Sequence, residues 1–120
     1  MKKIYHLSSC STCQRILKQW NPGKDVKLQD IKTEKIRAAQ LDEMAKKAGS
    51  YEALFSRVAL KYRALGLNTK ILSEKDYRKL ILEEYTFLKR PVLIIGSEIF
   101  IGNSPKNVAA ATAALKNADE

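Results

Sequence analysis

The alternation of apolar and polar residues predicts a strand, a helix and a second strand at the start of the chain. Residues 4–7 form a short apolar run within a strand predicted over residues 3–7, and residues 12–20 carry apolar side chains at helical spacing. Residues 25–30 alternate, so we expect Val26 and Leu28 to be buried on one face of a second strand. A strand, a helix and a strand within about 30 residues predict a βαβ unit with parallel strands.

The middle of the chain has the pattern of a helical block and contains no proline between residues 31 and 88. Ser73 and Asp76 have the spacing of a capping box and predict the start of a helix that continues to Leu88. A shorter helix is expected over residues 57–65. The clearest buried stripe consists of Leu41, Met44, Ala45 and Ala48.

The last third returns to strand patterns after Arg90-Pro91. Residues 92–95 are continuously apolar, which is typical of a strand covered on both faces. Gly96-Ser97 predicts a hairpin turn, and residues 98–101 return antiparallel. Ser104-Pro105 predicts a cap and the first position of a final helix.

These elements predict an α/β fold with a four-stranded mixed sheet in the order βαβ…ββα. The helical insertion lies between the two halves, at about residues 33–88. A chain of 120 residues with 45% hydrophobic and 29% charged residues is long enough for one compact core, so we expect a single domain over residues 1–120.

Composition and charge narrow the possible locations and partners. No apolar run is long enough to cross a bilayer or to form a signal-peptide core, so we expect a cytoplasmic protein without a membrane partner. The net charge of +9 suits anionic substrates or acidic partners. The basic residues are scattered and show no nucleic-acid-binding spacing, so we expect no direct contact with nucleic acid.

The candidate chemistry lies in Cys10-Ser11-Thr12-Cys13, which holds the only two cysteines of the chain. We expect Cys10 in the first turn of the first helix, where free N–H groups favour a thiolate nucleophile. Cys13, one turn on, could resolve a mixed disulfide. Two alternatives stay open, inert buried thiols and half of a zinc site, although zinc needs four ligands and only His6 is nearby.

The order of these pieces resembles the thioredoxin/glutaredoxin fold, in which a CxxC opens a helix and a proline precedes a β-hairpin. The insertion, with Leu65-Gly66-Leu67 inside it and Lys89-Arg90-Pro91-Val92 at its end, is similar to that of the arsenate reductase family. That family includes the glutaredoxin-coupled arsenate reductases and the Spx-type transcriptional regulators. The resemblance extends from about Lys2 to Leu115.

The resemblance implies a role for individual residues. Cys10 matches the family's nucleophile, and His6 matches a histidine often found in the reductases. Arg90 matches an arginine that holds an oxyanion or contacts the oxidised sulfur, and Pro91 matches a cis proline opposite the active cysteine. Cys13 matches the second cysteine of Spx-type proteins, a position at which the glutaredoxin-coupled reductases usually have no cysteine.

Two departures from the reductase pattern concern substrate binding. The family's arsenate reductases use three arginines, of which only Arg90 aligns here. Arg57 lies one position away from the second, and Gly102-Asn103 stands at the third. Gln14 replaces an arginine common after the second cysteine position. A highly charged oxyanion needs several charge-assisted hydrogen bonds, so these residues favour thiol chemistry over arsenate reduction.

Two hypotheses of function follow, in different classes. The first is an arsenate reductase-like oxidoreductase without a bound cofactor or metal, which uses Cys10, Cys13 and Arg90 on an oxyanion or a disulfide and takes electrons from glutathione, thioredoxin or glutaredoxin. In it, Arg57, His6 and Pro91 contact the substrate. The second is a non-enzymatic Spx-like redox switch that binds RNA polymerase. A family member with neither role is a third, plainer alternative.

Overall fold

The computed structural model describes residues 2–118, which belong to two compact units. We call residues 1–35 with 90–120 the sheet unit, and residues 36–89 the helical unit. None of the helices within residues 2–118 is long and apolar enough to cross a membrane. The strands are β1 (Lys2–His6), β2 (Val26–Asp30), β3 (Val92–Ile95) and β4 (Glu98–Ile101), and the helices are α1 (Ser11–Trp20), α2 (Ala38–Ala48), α3 (Leu60–Ala64), α4 (Glu74–Glu83) and α5 (Pro105–Ala118).

The sheet unit contains one four-stranded sheet in the order β2-β1-β3-β4. Strand β1 is parallel to β2 and antiparallel to β3, and β3 is antiparallel to β4. Ile4 of β1 lies opposite Leu28 of β2 on one side and Leu93 of β3 on the other. The predicted mixed sheet is therefore confirmed, and β1, which delivers the cysteines, is one of its two central strands.

The β3–β4 hairpin and α5 follow the predicted chemistry closely. Gly96 has a φ of 58°, a left-handed conformation that glycine adopts at little cost in a two-residue turn. Pro105 is the first residue of α5. The Ser104 hydroxyl accepts a hydrogen bond from the Asn107 backbone N–H at 3.2 Å, which satisfies one free donor of the helix start.

One apolar cluster joins the sheet to α1 and α5. Trp20 at the end of α1 is buried, and its Nε1 donates to Thr112 Oγ1 of α5 at 3.1 Å. This core fixes the direction of α1, and therefore the position of the residues at its start. Its buried members are Ile4, Ile16, Trp20, Val26, Leu93, Val108, Ala111 and Leu115.

Strand β2 differs from its predicted burial. Val26 is buried as expected, but Leu28 is 51% exposed and Gln29 is almost fully buried. Strand β2 lies at the edge of the sheet, where a side chain has a neighbouring strand on one side only. Gln29 tolerates burial because its Nε2 donates to the Glu34 carbonyl at 3.1 Å.

The helical unit is organised around an aromatic cluster. The Phe55 ring is fully buried and lies 4.9 Å from the Tyr77 ring and 5.1 Å from the Phe87 ring, centroid to centroid. A third ring, that of Tyr62, meets it edge-on at 6.0 Å. Because these rings come from separate segments, their packing holds the unit's short helices together.

The helices of this unit end earlier than predicted. The capping box at the start of α4 is confirmed, since Ser73 Oγ accepts from the Asp76 N–H and the Asp76 carboxylate accepts from the Ser73 N–H. Helix α4 ends at Glu83 instead of Leu88, because the Glu84 side chain accepts a hydrogen bond from the Thr86 N–H at 3.2 Å and begins a 3-10 turn. Likewise, α3 is shorter than the predicted helix over 57–65.

Candidate active site

Cys10 is the residue immediately before α1. It has extended backbone angles and occupies the N-cap, one position earlier than the first turn that the sequence predicted. Its N–H donates to the Leu7 carbonyl at 3.0 Å, and its carbonyl accepts from the Gln14 N–H at 3.1 Å. The side chain is partly exposed. Cys10 is therefore the accessible sulfur of the pair and lies at the start of α1.

Cys13 lies one turn into α1 and is fully buried. Burial raises the pKa of the Cys13 thiol from an ordinary value of 9.0 to about 11, helped by the neighbouring Cys10. A hydrogen bond with the backbone of Leu7 and the positive charge of Arg90 act on this pKa in the opposite direction. Cys13 is therefore protonated at neutral pH.

Arg90 and Pro91 lie immediately before β3. The peptide bond between them is cis, the conformation that the family resemblance implied. The Pro91 carbonyl accepts from the Gly102 N–H at 2.9 Å, and the Nε of Arg90 is buried. Since the charge of Arg90 acts on the Cys13 thiol, the sheet unit brings this arginine to the cysteine pair. Its role towards a substrate stays a prediction.

His6 ends β1, four residues before Cys10. The Gln14 Nε2 lies 3.4 Å from His6 Nδ1 and donates to the Leu7 carbonyl at 3.0 Å. Burial lowers the pKa of His6, and the negative charge of Asp30 acts in the opposite direction. His6 is therefore mainly neutral at pH 7 and belongs to the polar surroundings of the cysteine loop.

Asp30 holds the chain that leads into the cysteine pair. Its Oδ1 accepts from the backbone N–H of Ser8 at 3.2 Å and from that of Lys32 at 3.1 Å. Hydrogen bonds from Ser8, mainly from its side chain, lower the pKa of Asp30. The Asp30 carboxylate is therefore charged at pH 7. His6 and Asp30 are register partners at the ends of parallel strands.

Sequence reasoning did not identify Asp30, and it treated Gln14 only as a missing arginine. The available signal for Asp30 was its place at the end of a strand predicted to be parallel to β1, because the ends of such strands lie side by side. The signal for Gln14 was its place one turn after Cys10, on the helix that begins at the pair.

Arg57 belongs to the helical unit, so it is not among the residues that the sheet unit brings together. Its Nη2 donates to Glu52 Oε2 at 2.8 Å and to the Tyr77 hydroxyl at 2.9 Å. The guanidinium also lies over the Tyr77 ring, 5.6 Å from its centroid. These contacts occupy Arg57 within its own unit, and its predicted contact with a substrate stays a prediction.

Metal ligation was one alternative for the cysteines. Within residues 2–118, no group of three or more histidine, cysteine, aspartate or glutamate side chains is arranged to hold a metal ion. Cys10 and Cys13 are free cysteines.

Comparison with known proteins agrees with this arrangement of the sheet. The chain matches the model of the ArsC family over residues 5–111. A search of curated proteins found no match. Among solved structures, a possible arsenate reductase from Streptococcus mutans UA159 is 28% identical, with a TM-score of 0.63 over 82% of this chain and 87% of that one. An arsenate reductase (ArsC) related protein from Brucella melitensis is 26% identical, with a TM-score of 0.70 over 91% and 92%.

The fold itself is shared more widely. An arsenate reductase from Vibrio cholerae, 20% identical, superimposes with a TM-score of 0.75 over 91% of this chain and 95% of its own. The predicted thioredoxin-like architecture, a mixed four-stranded sheet with helices, is confirmed. Because the family model covers most of the residues, the chain belongs to the ArsC family and is a thiol-redox protein of that family.

Proposed function

We propose that the chain is a thiol–disulfide oxidoreductase in which Cys10 is the nucleophile and Cys13 the resolving thiol. The observation that supports this division best is the contrast between the two sulfurs. Cys10 is partly exposed at the N-cap of α1, whereas Cys13 is fully buried and has a pKa of about 11. An accessible thiolate meets the substrate first, and a protonated neighbour does not compete with it.

The reaction balances as two thiol–disulfide exchanges. The Cys10 thiolate attacks one sulfur of a substrate disulfide, forms a mixed disulfide and releases the other half as a thiolate, which takes up a proton. Cys13 then loses its proton and attacks the Cys10 sulfur, which expels the second half and leaves a Cys10–Cys13 disulfide. Two external thiols, from glutathione or from a thioredoxin or glutaredoxin, reduce this disulfide and are themselves oxidised.

Arg90 supplies positive charge beside the pair. Its charge acts on the Cys13 thiol, which supports a place for Arg90 beside the pair. During exchange, negative charge is shared among three sulfurs. A fixed cation at this place therefore stabilises the transition state more than it stabilises the uncharged thiol. Pro91, joined to Arg90 by a cis bond, directly precedes Val92, which pairs with Tyr5 of β1, and would contact the substrate's backbone or thiol.

Disulfides fit the site better than arsenate does. Arsenate reduction consumes two thiols per arsenate and yields arsenite, one disulfide and water, and it requires several cations around the oxyanion. In the sheet unit, the charge of Arg90 acts on the Cys13 thiol, and Gly102-Asn103 stands where the reductase pattern has another arginine. Arg57 is held by Glu52. We therefore rank a disulfide substrate first and arsenate second.

Turnover with defined substrates tests this proposal. Purified protein is supplied with glutathione and either a glutathione mixed disulfide or arsenate, and oxidised glutathione is recycled by its reductase so that NADPH consumption gives the rate. We expect turnover on the mixed disulfide, none for Cys10→Ser, and a much smaller rate on arsenate. Equal rates for wild type and Cys10→Ser would reject the proposal.

A redox switch is the second candidate function, and one observation in the helical unit favours it. Val58, Leu60 and Ile71 are 92%, 91% and 102% exposed, which is unusual for large apolar side chains and suits a surface that binds a partner. RNA polymerase is the partner that the Spx resemblance suggests. Pull-down of RNA polymerase with reduced and with oxidised protein tests this, and equally weak binding in both states would reject it.

A further inference from the structure

The Gln14 carboxamide connects α1 to the end of β1. Its Nε2 donates to the Leu7 carbonyl at 3.0 Å and lies 3.4 Å from His6 Nδ1. The Leu7 carbonyl also accepts the Cys10 N–H at 3.0 Å. One backbone oxygen therefore joins Gln14 to the residue that we propose as the nucleophile.

The orientation of the Gln14 amide follows from its partners. A carbonyl oxygen only accepts hydrogen bonds, so the group that faces Leu7 must be the NH₂ and not the amide oxygen. The same NH₂ faces His6 Nδ1, which can accept a hydrogen bond only through a lone pair. A neutral imidazole with its lone pair on Nδ1 carries its proton on Nε2.

We infer that Gln14 is a positioning residue of this site, which holds His6 as the neutral Nε2–H tautomer and ties the start of α1 to the end of β1. An imidazolium carries an N–H at Nδ1. This N–H and the Gln14 NH₂ are both hydrogen-bond donors, so the contact between them would be unfavourable. The partial burial of His6 disfavours that charged form as well, whereas the Asp30 carboxylate favours it. The hydrogen bonds of Gln14 therefore favour the neutral form of His6, whereas the charge of Asp30 favours its protonated form.

This inference deepens the proposed function and rests on it for its chemical consequence. If Cys10 is the nucleophile, the neutral His6, four residues before it, adds no positive charge, and the positive charge near the pair comes from Arg90, which acts on the Cys13 thiol. The arginine common at position 14 in the reductases would add a cation here. In this chain the position instead carries Gln14, a neutral side chain that donates hydrogen bonds.

Nitrogen NMR of the single histidine tests the tautomer directly. Full-length ¹⁵N-labelled protein is measured at neutral pH as wild type, as Gln14→Met, which keeps the length but removes the donors, and as Gln14→Glu, which replaces donor by acceptor. Gln19→Met, an exposed position on the same helix, is the matched control. The chain contains one histidine, so each signal has a single assignment.

We expect the Nε2–H tautomer in wild type and in Gln19→Met, a mixture of tautomers in Gln14→Met, and a proton on Nδ1 in Gln14→Glu. The pKa of His6 should rise by about one unit in Gln14→Glu, because a carboxylate favours the imidazolium. An Nδ1–H or charged His6 in the wild type would overturn the inference, and so would an unchanged tautomer in both Gln14 variants.

The pH dependence of the rate of Cys10 alkylation tests whether the contact between Gln14 and His6 influences the reactivity of Cys10. In Gln14→Glu we expect an additional inflection at the pH at which His6 of that variant titrates, and none there in the wild type. A changed tautomer without this inflection would overturn the link between Gln14 and Cys10. The NMR result does not depend on turnover, so failure of the proposed function is distinguishable from failure of this inference.

Discussion

The sheet unit should be less stable at alkaline pH, because the Cys13 thiol ionises more readily in the unfolded chain than in the folded protein. In the folded protein, burial raises the pKa of this thiol to about 11, whereas in the unfolded chain it returns to its ordinary value of 9.0. Between these two pH values the unfolded chain has released the proton and the folded protein still holds it. The free energy of unfolding therefore falls with rising pH in this window, and below it the ionisation of Cys13 makes no contribution.

The size of the effect follows from the two pKa values. At pH 7 both states hold the proton, so the contribution is close to zero. At pH 10 the thiol of the unfolded chain is mostly ionised and that of the folded protein mostly protonated. This difference lowers the free energy of unfolding by about 1.4 kcal/mol, the equivalent of one pKa unit.

Urea unfolding of wild type and Cys13→Ala, followed by the fluorescence of Trp20, measures this contribution. Trp20 is the only tryptophan and is buried in the same unit as Cys13, so it reports the relevant transition. Cys13→Ala has a cavity cost that does not change with pH, and lysines and tyrosines titrate alike in both proteins. We expect the stability difference to shift in favour of Cys13→Ala by about 1.4 kcal/mol between pH 7 and 10 under reducing conditions. Parallel pH curves would refute the reasoning.

Three further changes test other parts of the structure. Arg90→Gln should lower turnover on a mixed disulfide about tenfold or more, since it removes the cation beside the pair, whereas the exposed neighbour variant Lys89→Gln should leave the rate unchanged. Phe55→Ala should destabilise the helical unit by about 3 to 5 kcal/mol in urea unfolding, whereas the exposed Val58→Ala should change stability by less than about 0.5 kcal/mol. Ser73→Ala should cost about 1 kcal/mol by the same measurement, and an unchanged midpoint would contradict the role of the capping box.

The sequence predicts the architecture well where local signals agree. Gly96 and Ser97 supply the turn, and Ser104 and Pro105 supply the helix start, so the hairpin and α5 appear as expected. Each of these signals is local: a glycine can adopt a positive φ in the turn, and a proline lacks the N–H that a helix start does not need. The apolar periodicity does not predict that α4 stops at Glu83, since a hydrogen bond from one side chain decides the helix end.

The candidate site is less predictable because long-range contacts determine it. The sequence supplies Cys10 and Cys13 as a pair, but their difference in burial depends on how α1 packs on the sheet. Periodicity treated Leu28 as buried, and the position of β2 at the sheet edge reversed this. Gln14 and Asp30 gain their significance only from partners in other elements, which no local pattern encodes.

The division of roles between the two thiols is tested most directly by trapping the mixed disulfide. Cys10→Ser and Cys13→Ser are each mixed with oxidised glutathione at neutral pH, and the adducts are identified by mass spectrometry over time. We predict rapid formation of a stable glutathione adduct on Cys10 in Cys13→Ser, and little or none on the buried Cys13 in Cys10→Ser. An adduct that forms faster on Cys13, or none on Cys10, would contradict the proposed mechanism.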